Sequence, residues 1–411
     1  MKPLGPIPPG YAGPGGALAV AGHDAEALVA MAGDTPAFVY SLDYVRARIA
    51  ALRSALPNGV EIHYAIKANP LPALVENMIE LVDGFDVASG GELARLGDLG
   101  IEGGRISFAG PGKRDDELAA AIRAGVTLNC ESEGEVGRAL AQGAALATRP
   151  QLAIRVNPPF DLKGSGMKMG GGARPFGVDA DRVPALARHI LAAGADWRGL
   201  HIFAGSQSLD SAAIIAAQRA TVALAGELAE AIGTPPPACN LGGGFGIPYF
   251  AGDTPIDLAA IGGALAQALA QRPASLAGTR FCIELGRYIV GEAGVYLTRV
   301  VDRKESHGAT FLVVDGGMHH QLAASGNFGT VVRRNYPVAV AARMCAPGEE
   351  EEVSVVGCLC TPLDRLADSA LLPRADVGDL IAVFCAGAYG ASASPAAFLG
   401  HPPAREIVVG S

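Results

Sequence analysis

The chain has 411 residues, half of them apolar and 18% charged, with a formal net charge of −9. That composition supports a large core and excludes a disordered chain. The acidic balance argues against a nucleic-acid ligand, whose phosphates need a basic face. Seven cysteines, an odd number set mostly in apolar segments, read as reduced thiols in a cytoplasmic protein rather than as a disulfide framework. No uninterrupted apolar run reaches about 18 residues, so no membrane insertion is expected.

In chain order, residues 1–16 are rich in Pro and Gly, lack the layout of a signal peptide, and are expected to be a flexible lead-in. Residues 17–44, which contain a strand-like run at 38–42, are expected to join a later β domain. Strand-like runs then recur at about 62–68, 84–89, 105–110, 127–132, 152–157, 199–205, 238–244 and 281–286. Ala- and Leu-rich stretches of helical spacing lie between most of them. Eight βα units predict a (β/α)8 TIM barrel over residues 45–290, with a doubly wound parallel sheet as the competing α/β architecture. After Tyr288 the helical spacing fades, and strand-like runs predict a mainly β domain over residues 291–411.

Barrel chemistry collects at the C-terminal ends of the strands. Those ends present Lys67, Asp86, Arg155, His201 with Ser206, the Gly242-Gly243-Gly244 turn, and Glu284 with Arg287. Lys67 ends an apolar run; shielded from water, its amine attacks a carbonyl, whereas in solvent it is an ordinary strand-end lysine. The three glycines let backbone N–H groups approach a phosphate, although a plain tight turn has the same sequence. A lysine and a phosphate turn on one face suggest pyridoxal 5′-phosphate, with Lys67 forming the Schiff base. Glu284 would keep the pyridine nitrogen protonated, or else form a strand-end salt bridge. His201 would cover one face of the ring, or else be a core histidine. The segment 163–172 reads as a lid or as a solvated glycine loop.

On these motifs the chain resembles the fold-type III pyridoxal-phosphate decarboxylases, the ornithine/diaminopimelate/arginine decarboxylase family. Tyr64-Ala65-Ile66-Lys67-Ala68-Asn69 is similar to the family's Schiff-base motif. Phe85 to Ser89, His201 to Gln207, the glycine turn, Glu284-Leu285-Gly286-Arg287, Asp315-Gly316-Gly317, Cys360 and Gly387-Ala388-Tyr389-Gly390 follow in the family's order. The resemblance implies an alanine-racemase-like barrel plus β domain, and a homodimer with shared active sites. It further implies that Asp86, Arg155, Ser206 and Tyr389 help to hold the cofactor. Cys360 would reach the partner's site and return a proton to the substrate carbon. Nothing in it calls for a metal.

Two departures concern the substrate. Where family members place an acid after the active-site cysteine to grip a distal ammonium, this chain has Thr361, and Asp364 compensates only by a different loop path. An extra loop, 323–330, precedes Arg333 and Tyr336, which with Arg287 are candidates for holding a substrate carboxylate. His319 and His320 are expected at the surface or at a domain interface rather than at a metal site, and Cys358-Leu359-Cys360 is too lone a pair to suggest zinc. These features resemble an exosortase-system-associated branch, and they are also similar to decarboxylases acting on carrier-tethered aminoacyl groups. The expected substrate therefore lacks a free distal ammonium. The rival readings are a diaminopimelate or ornithine decarboxylase proper, a racemase of the same fold, and a catalytically silent regulatory homologue.

Overall fold

The computed structural model of the chain describes residues 1–326, 333–344 and 350–411. Part of the extra loop at 323–330 and Cys345 therefore lie outside the described residues. The chain divides into two compact units. One comprises Ile49–Gly246 and Ile256–Gly286; the other comprises Met1–Arg48, Ile247–Pro255 and Arg287–Ser411.

The first unit holds eight parallel strands: β1 (Val60–Ala65), β2 (Gly84–Val87), β3 (Ile106–Phe108), β4 (Thr127–Cys130), β5 (Gln151–Asn157), β6 (Asp196–Ile202), β7 (Ala238–Asn240) and β8 (Arg280–Leu285). Each pairs with the next, and β8 returns to β1 in register from Phe281 against Val60 to Leu285 against Tyr64. Closure excludes the doubly wound alternative, which leaves two open edges. Strands buried on both faces read as apolar runs rather than alternating ones, which is why β2, buried throughout, stands out in the sequence.

Helices follow the strands through short links. Ser89 ends the link after β2 and caps the helix Gly90–Asp98 by accepting the N–H of Glu92, while Ser132 does the same for Glu133–Ala145 through Glu135. Such caps satisfy N–H groups that the helix leaves orphaned. They also keep the βα turns tight on the face where the strands end. The helix Ser211–Ile232 is long and apolar enough to cross a membrane by length and composition. Half of its most apolar window is buried, as in a core helix, and Arg219, Glu227 and Glu230 interrupt its apolar run.

β1 is shorter than the expected run. It stops at Ala65, and Ile66–Ala68 forms a single 3₁₀ turn, so Lys67 stands just beyond the strand. The Tyr64 hydroxyl donates to the carbonyl of Asn69 at 2.8 Å, and the Asn69 side chain accepts the N–H of Leu71, which pins the turn ahead of Pro70.

In the second unit, the strands Val338–Val340, Leu380–Val383, Gly294–Ser306, Ala309–Val314, Glu350–Val356 and Arg365–Pro373 pair in that order. Ala37–Ser41 joins Gly294–Ser306 antiparallel and pairs in parallel with Arg405–Val409. The segment 1–16 is not a loose lead-in. Tyr11 is buried, donates to the carbonyl of Glu292 at 2.7 Å and meets Phe384 edge-on, and the N–H of Lys2 bonds to Ser369. An aromatic ring among Pro and Gly supplies the apolar area that holds the segment down.

Candidate active site

The strand ends of the barrel bring Lys67, His201 and Glu284 together. Lys67 Nζ lies 3.5 Å from Glu284 Oε1 and 5.7 Å from the centre of the Phe203 ring. His201 Nε2 lies 3.0 Å from Glu284 Oε2. Burial pushes the Glu284 carboxyl up, but Lys67, His201 and Arg155 outweigh it and hold the group well below the usual carboxylate range. The carboxylate is therefore an anion at neutral pH. The Lys67 side chain is 44% exposed. Its charged neighbours mark it out, not the withdrawal from water that the sequence suggests.

Two further candidates at this end engage polar neighbours. Asp86 accepts from Ser107 Oγ at 2.7 Å and faces His63 Nδ1 at 3.7 Å. Arg155 pairs with Glu131 at 2.8 Å and stacks over Phe176. Glu131 also accepts the N–H groups of Gly110 and Gly177, so the pair ties three strand-end loops together. Sequence reasoning missed His63, and also the buried pair of Lys113 and Glu135, 2.7 Å apart. The signal for His63 was present: Glu61 and His63 are two residues apart on β1, and so share one face of the strand.

The glycine turn is shaped for close approach. Gly242 and Gly244 have φ of +68° and +78°, the left-handed region. A Cβ on Gly243 would come within 2.1 Å of the Glu284 carbonyl oxygen, and one on Gly244 within 2.6 Å of that of Gly205. Among the described residues, the N–H groups of Gly243 and Gly244 have no protein acceptor. Such donors at a strand end suit a phosphate. Beside them, Gly205–Ser206 pairs antiparallel with Met167–Lys168. The loop 163–172 is thus docked by backbone pairing, with the N–H of Gly166 also bonded to Gln207. An amine, an anionic carboxylate with its histidine, and a glycine cradle fit pyridoxal 5′-phosphate. Lys67, Glu284, His201 and the Gly242 to Gly244 turn are the residues that would hold it.

The remaining candidates lie in the second unit. Arg287 Nη1 bonds to the Tyr249 hydroxyl at 2.9 Å, and its guanidinium lies 4.6 Å over the Tyr389 ring. The Tyr336 ring packs 4.7 Å from that of Tyr249, and burial pushes its phenol well above the usual value. Arg287, Tyr336 and Tyr389 therefore share one aromatic cluster. Arg333 does not join it: its guanidinium donates to the carbonyl of Arg365. Cys360 is exposed, and Thr361 sits in the turn beside it. Asp364 is buried and accepts the N–H groups of Met318 at 2.6 Å and Leu359 at 2.9 Å. Its carboxylate is engaged with backbone and does not replace the missing acid at Thr361. His319 and His320 are 0% and 2% exposed, which rules out the surface half of their expected position.

Comparison with known proteins places this geometry. Residues 42–291 match the family described as pyridoxal-dependent decarboxylase, pyridoxal binding domain. The chain is 36% identical over 380 residues to the L-glutamyl-[BtrI acyl-carrier protein] decarboxylase of Niallia circulans, covering 91% of this chain and 89% of that protein. It is 30% identical to the 2-[(L-alanin-3-ylcarbamoyl)methyl]-2-hydroxybutanedioate decarboxylase of Staphylococcus aureus, covering 89% and 92%. The diaminopimelate decarboxylase of Helicobacter pylori, solved in complex with L-lysine, superposes with a TM-score of 0.80 at 28% identity over 92% of each chain. The chain belongs to the pyridoxal-dependent decarboxylases, and is a carboxy-lyase that works with pyridoxal 5′-phosphate.

Proposed function

We propose that the enzyme decarboxylates an aminoacyl group whose distal end is acyl-linked to a carrier protein, rather than a free diamino acid. One observation carries this reading. The turn at 358–364 has a single acid, Asp364, and its carboxylate is buried under two backbone N–H groups. Thr361 is uncharged, so the turn offers no partner for a distal ammonium. The names of the relatives agree: one acts on a glutamyl group on a carrier protein, and another on an alanin-3-ylcarbamoyl acid.

Pyridoxal 5′-phosphate, when bound, supplies a conjugated ring that accepts the electron pair released as CO₂ departs. The chain's own residues do the rest. Lys67 anchors the cofactor. Glu284, anionic, would hold the proton of the ring nitrogen, and His201 fixes the carboxylate from its other oxygen. Gly243 and Gly244 would offer N–H groups to the phosphate, with Ser206 beside them, and by the family resemblance Tyr389 would be a further phosphate ligand. Asp86 ties neighbouring strands through Ser107, and Arg155 braces the strand-end loops through Glu131. Cys360 returns a proton to the substrate carbon, supplied by the partner subunit of a homodimer. Arg287 and Tyr336 are candidates for the substrate's remaining carboxylate.

The test is CO₂ release from a glutamyl carrier protein, free glutamate, diaminopimelate and ornithine. A preference of about 10²-fold or more in kcat/KM for the carrier-linked group is expected, because a site without a partner for a charged end rejects it. Thr361→Glu should narrow that preference by restoring an acid. Efficient turnover of free diaminopimelate or ornithine by the unmodified enzyme would overturn the reading.

A further inference from the structure

We propose that His319, Cys358 and His401 form a binding site for a zinc-class divalent cation in the second unit. The inference does not depend on the identity of the substrate. One ligand atom from each residue lies within 4.8 Å of the others. Cys358 Sγ is 3.9 Å from each ring nitrogen of His401, and the His319 and His401 ring centres are 5.1 Å apart. Tetrahedral zinc with ordinary Zn–N and Zn–S lengths needs ligand atoms about 3.3–3.6 Å apart. Small side-chain rotations therefore close the set around a cation.

A second observation points to the same ligand. His319 is fully buried, yet neither of its ring nitrogens has a hydrogen-bond partner among the described residues. Buried polar groups rarely stay unpaired, because the lost hydration is not recovered. A cation between His319, Cys358 and His401 would give the unpartnered ring a partner.

The backbone around all three ligands is pinned. Asp364 receives the N–H of Met318, next to His319, and that of Leu359, next to Cys358. His320 bonds through Nδ1 to the Tyr296 hydroxyl at 3.0 Å and through Nε2 to the carbonyl of Pro402 at 2.9 Å, next to His401. Such outer partners orient metal ligands. Two imidazoles and a thiolate suit zinc or cobalt(II) and disfavour magnesium or calcium. Cys358 and His401 are only partly buried, which gives a cation a way in, and three protein ligands leave a fourth position for water. In the sequence Cys358 pairs visually with Cys360; in the fold its companions come from 39 residues before it and 43 after it. A bound cation would brace the turn that carries Cys360 and Thr361.

The experiment uses the full-length holoenzyme, stripped with a chelator and titrated with zinc or cobalt(II) alone. We expect one tightly held ion per chain. Cobalt should give intense d–d bands in the red, clear of cofactor absorption, with thiolate charge transfer. Cys358→Ser should abolish the charge transfer, and His401→Ala should weaken binding by about 100-fold or more. Cys360→Ser should leave both unchanged. These two ligand positions are partly exposed, so the test stands even if His319→Ala does not fold. Binding no tighter in the parent than in Cys358→Ser and His401→Ala, or a cobalt spectrum of octahedral type, would reduce the cluster to a thiol–imidazole contact and overturn the proposal.

Discussion

Glu284 at the barrel mouth and Asp364 in the second unit are both buried carboxylates, and they behave in opposite ways. Glu284 faces ionisable side chains, Lys67 and His201, and its pKa is driven down despite burial. Asp364 faces backbone N–H groups; burial dominates, and its pKa is raised even though Met318 and Leu359 pull it down. The first acid presents a charge that a bound group can share. The second uses its charge to close two loops. The place of an acid four residues after Cys360 in sequence is thus no guide to whether its charge is available. Only its partners decide that, and they differ between the two units.

The sharpest way to break this contrast is at Lys67. Lys67→Ala removes the proposed anchor and a cation 3.5 Å from Glu284. Activity should fall by at least about 10⁴-fold, as when a covalent group is deleted. The absorbance of the anchored cofactor should shift to that of a merely adsorbed one. A variant that kept the parent spectrum and a tenth of the rate would remove Lys67 from the chemistry. Next in size is Glu284→Gln, which keeps the shape and the contact with His201 but not the charge. A loss in kcat of about 10²–10³-fold is expected, with cofactor affinity little changed, since preorganised charge acts on the reacting state. An unchanged kcat would mean that the Glu284 charge is structural, like that of Asp364.

Asp364→Asn probes the other side. An amide can accept one N–H but turns its own NH₂ toward the second donor, so one charge-assisted bond is lost. Relief of the buried charge offsets part of this, leaving a destabilisation of about 1–2 kcal/mol, read as a lowered Tm. The cofactor absorbance of the barrel should not move. A spectral change without loss of stability would show that Asp364 acts on the chemistry rather than on the loops.

How much was legible follows from the same physics. β1 to β8 were readable because buried parallel strands are apolar runs that stop at polar residues. Lys67, Glu284 and the glycines stood out because each ends such a run. The strand Arg365–Pro373 was not readable, since its pairing with Glu350–Val356 shifts register twice and breaks the alternation. Tyr11 was hidden in a Pro/Gly stretch whose composition suggests looseness. The state of Asp364 and the gathering of His319, Cys358 and His401 depend on backbone brought together from distant positions, for which local sequence carries no mark.

The smallest expected effect concerns His63, which extends the pattern set by Glu284 into the barrel interior. The ring is buried, with Glu61 Oε2 at 3.4 Å and Asp86 Oδ2 at 3.7 Å. Burial alone would lower its pKa, but the two carboxylates outweigh burial and raise it from 6.5 to about 10. The folded chain therefore keeps this proton over a range where the unfolded chain has released it. The resulting stabilisation is complete below the unfolded value of 6.5 and is lost as pH rises through about 10. The contact with Glu61 is a long hydrogen bond, and Asp86 lies just beyond hydrogen-bond reach. His63→Gln removes the titrating group, so the Tm of the parent should fall more steeply than that of the variant across this window. Parallel Tm curves would mean that His63 is neutral in the fold.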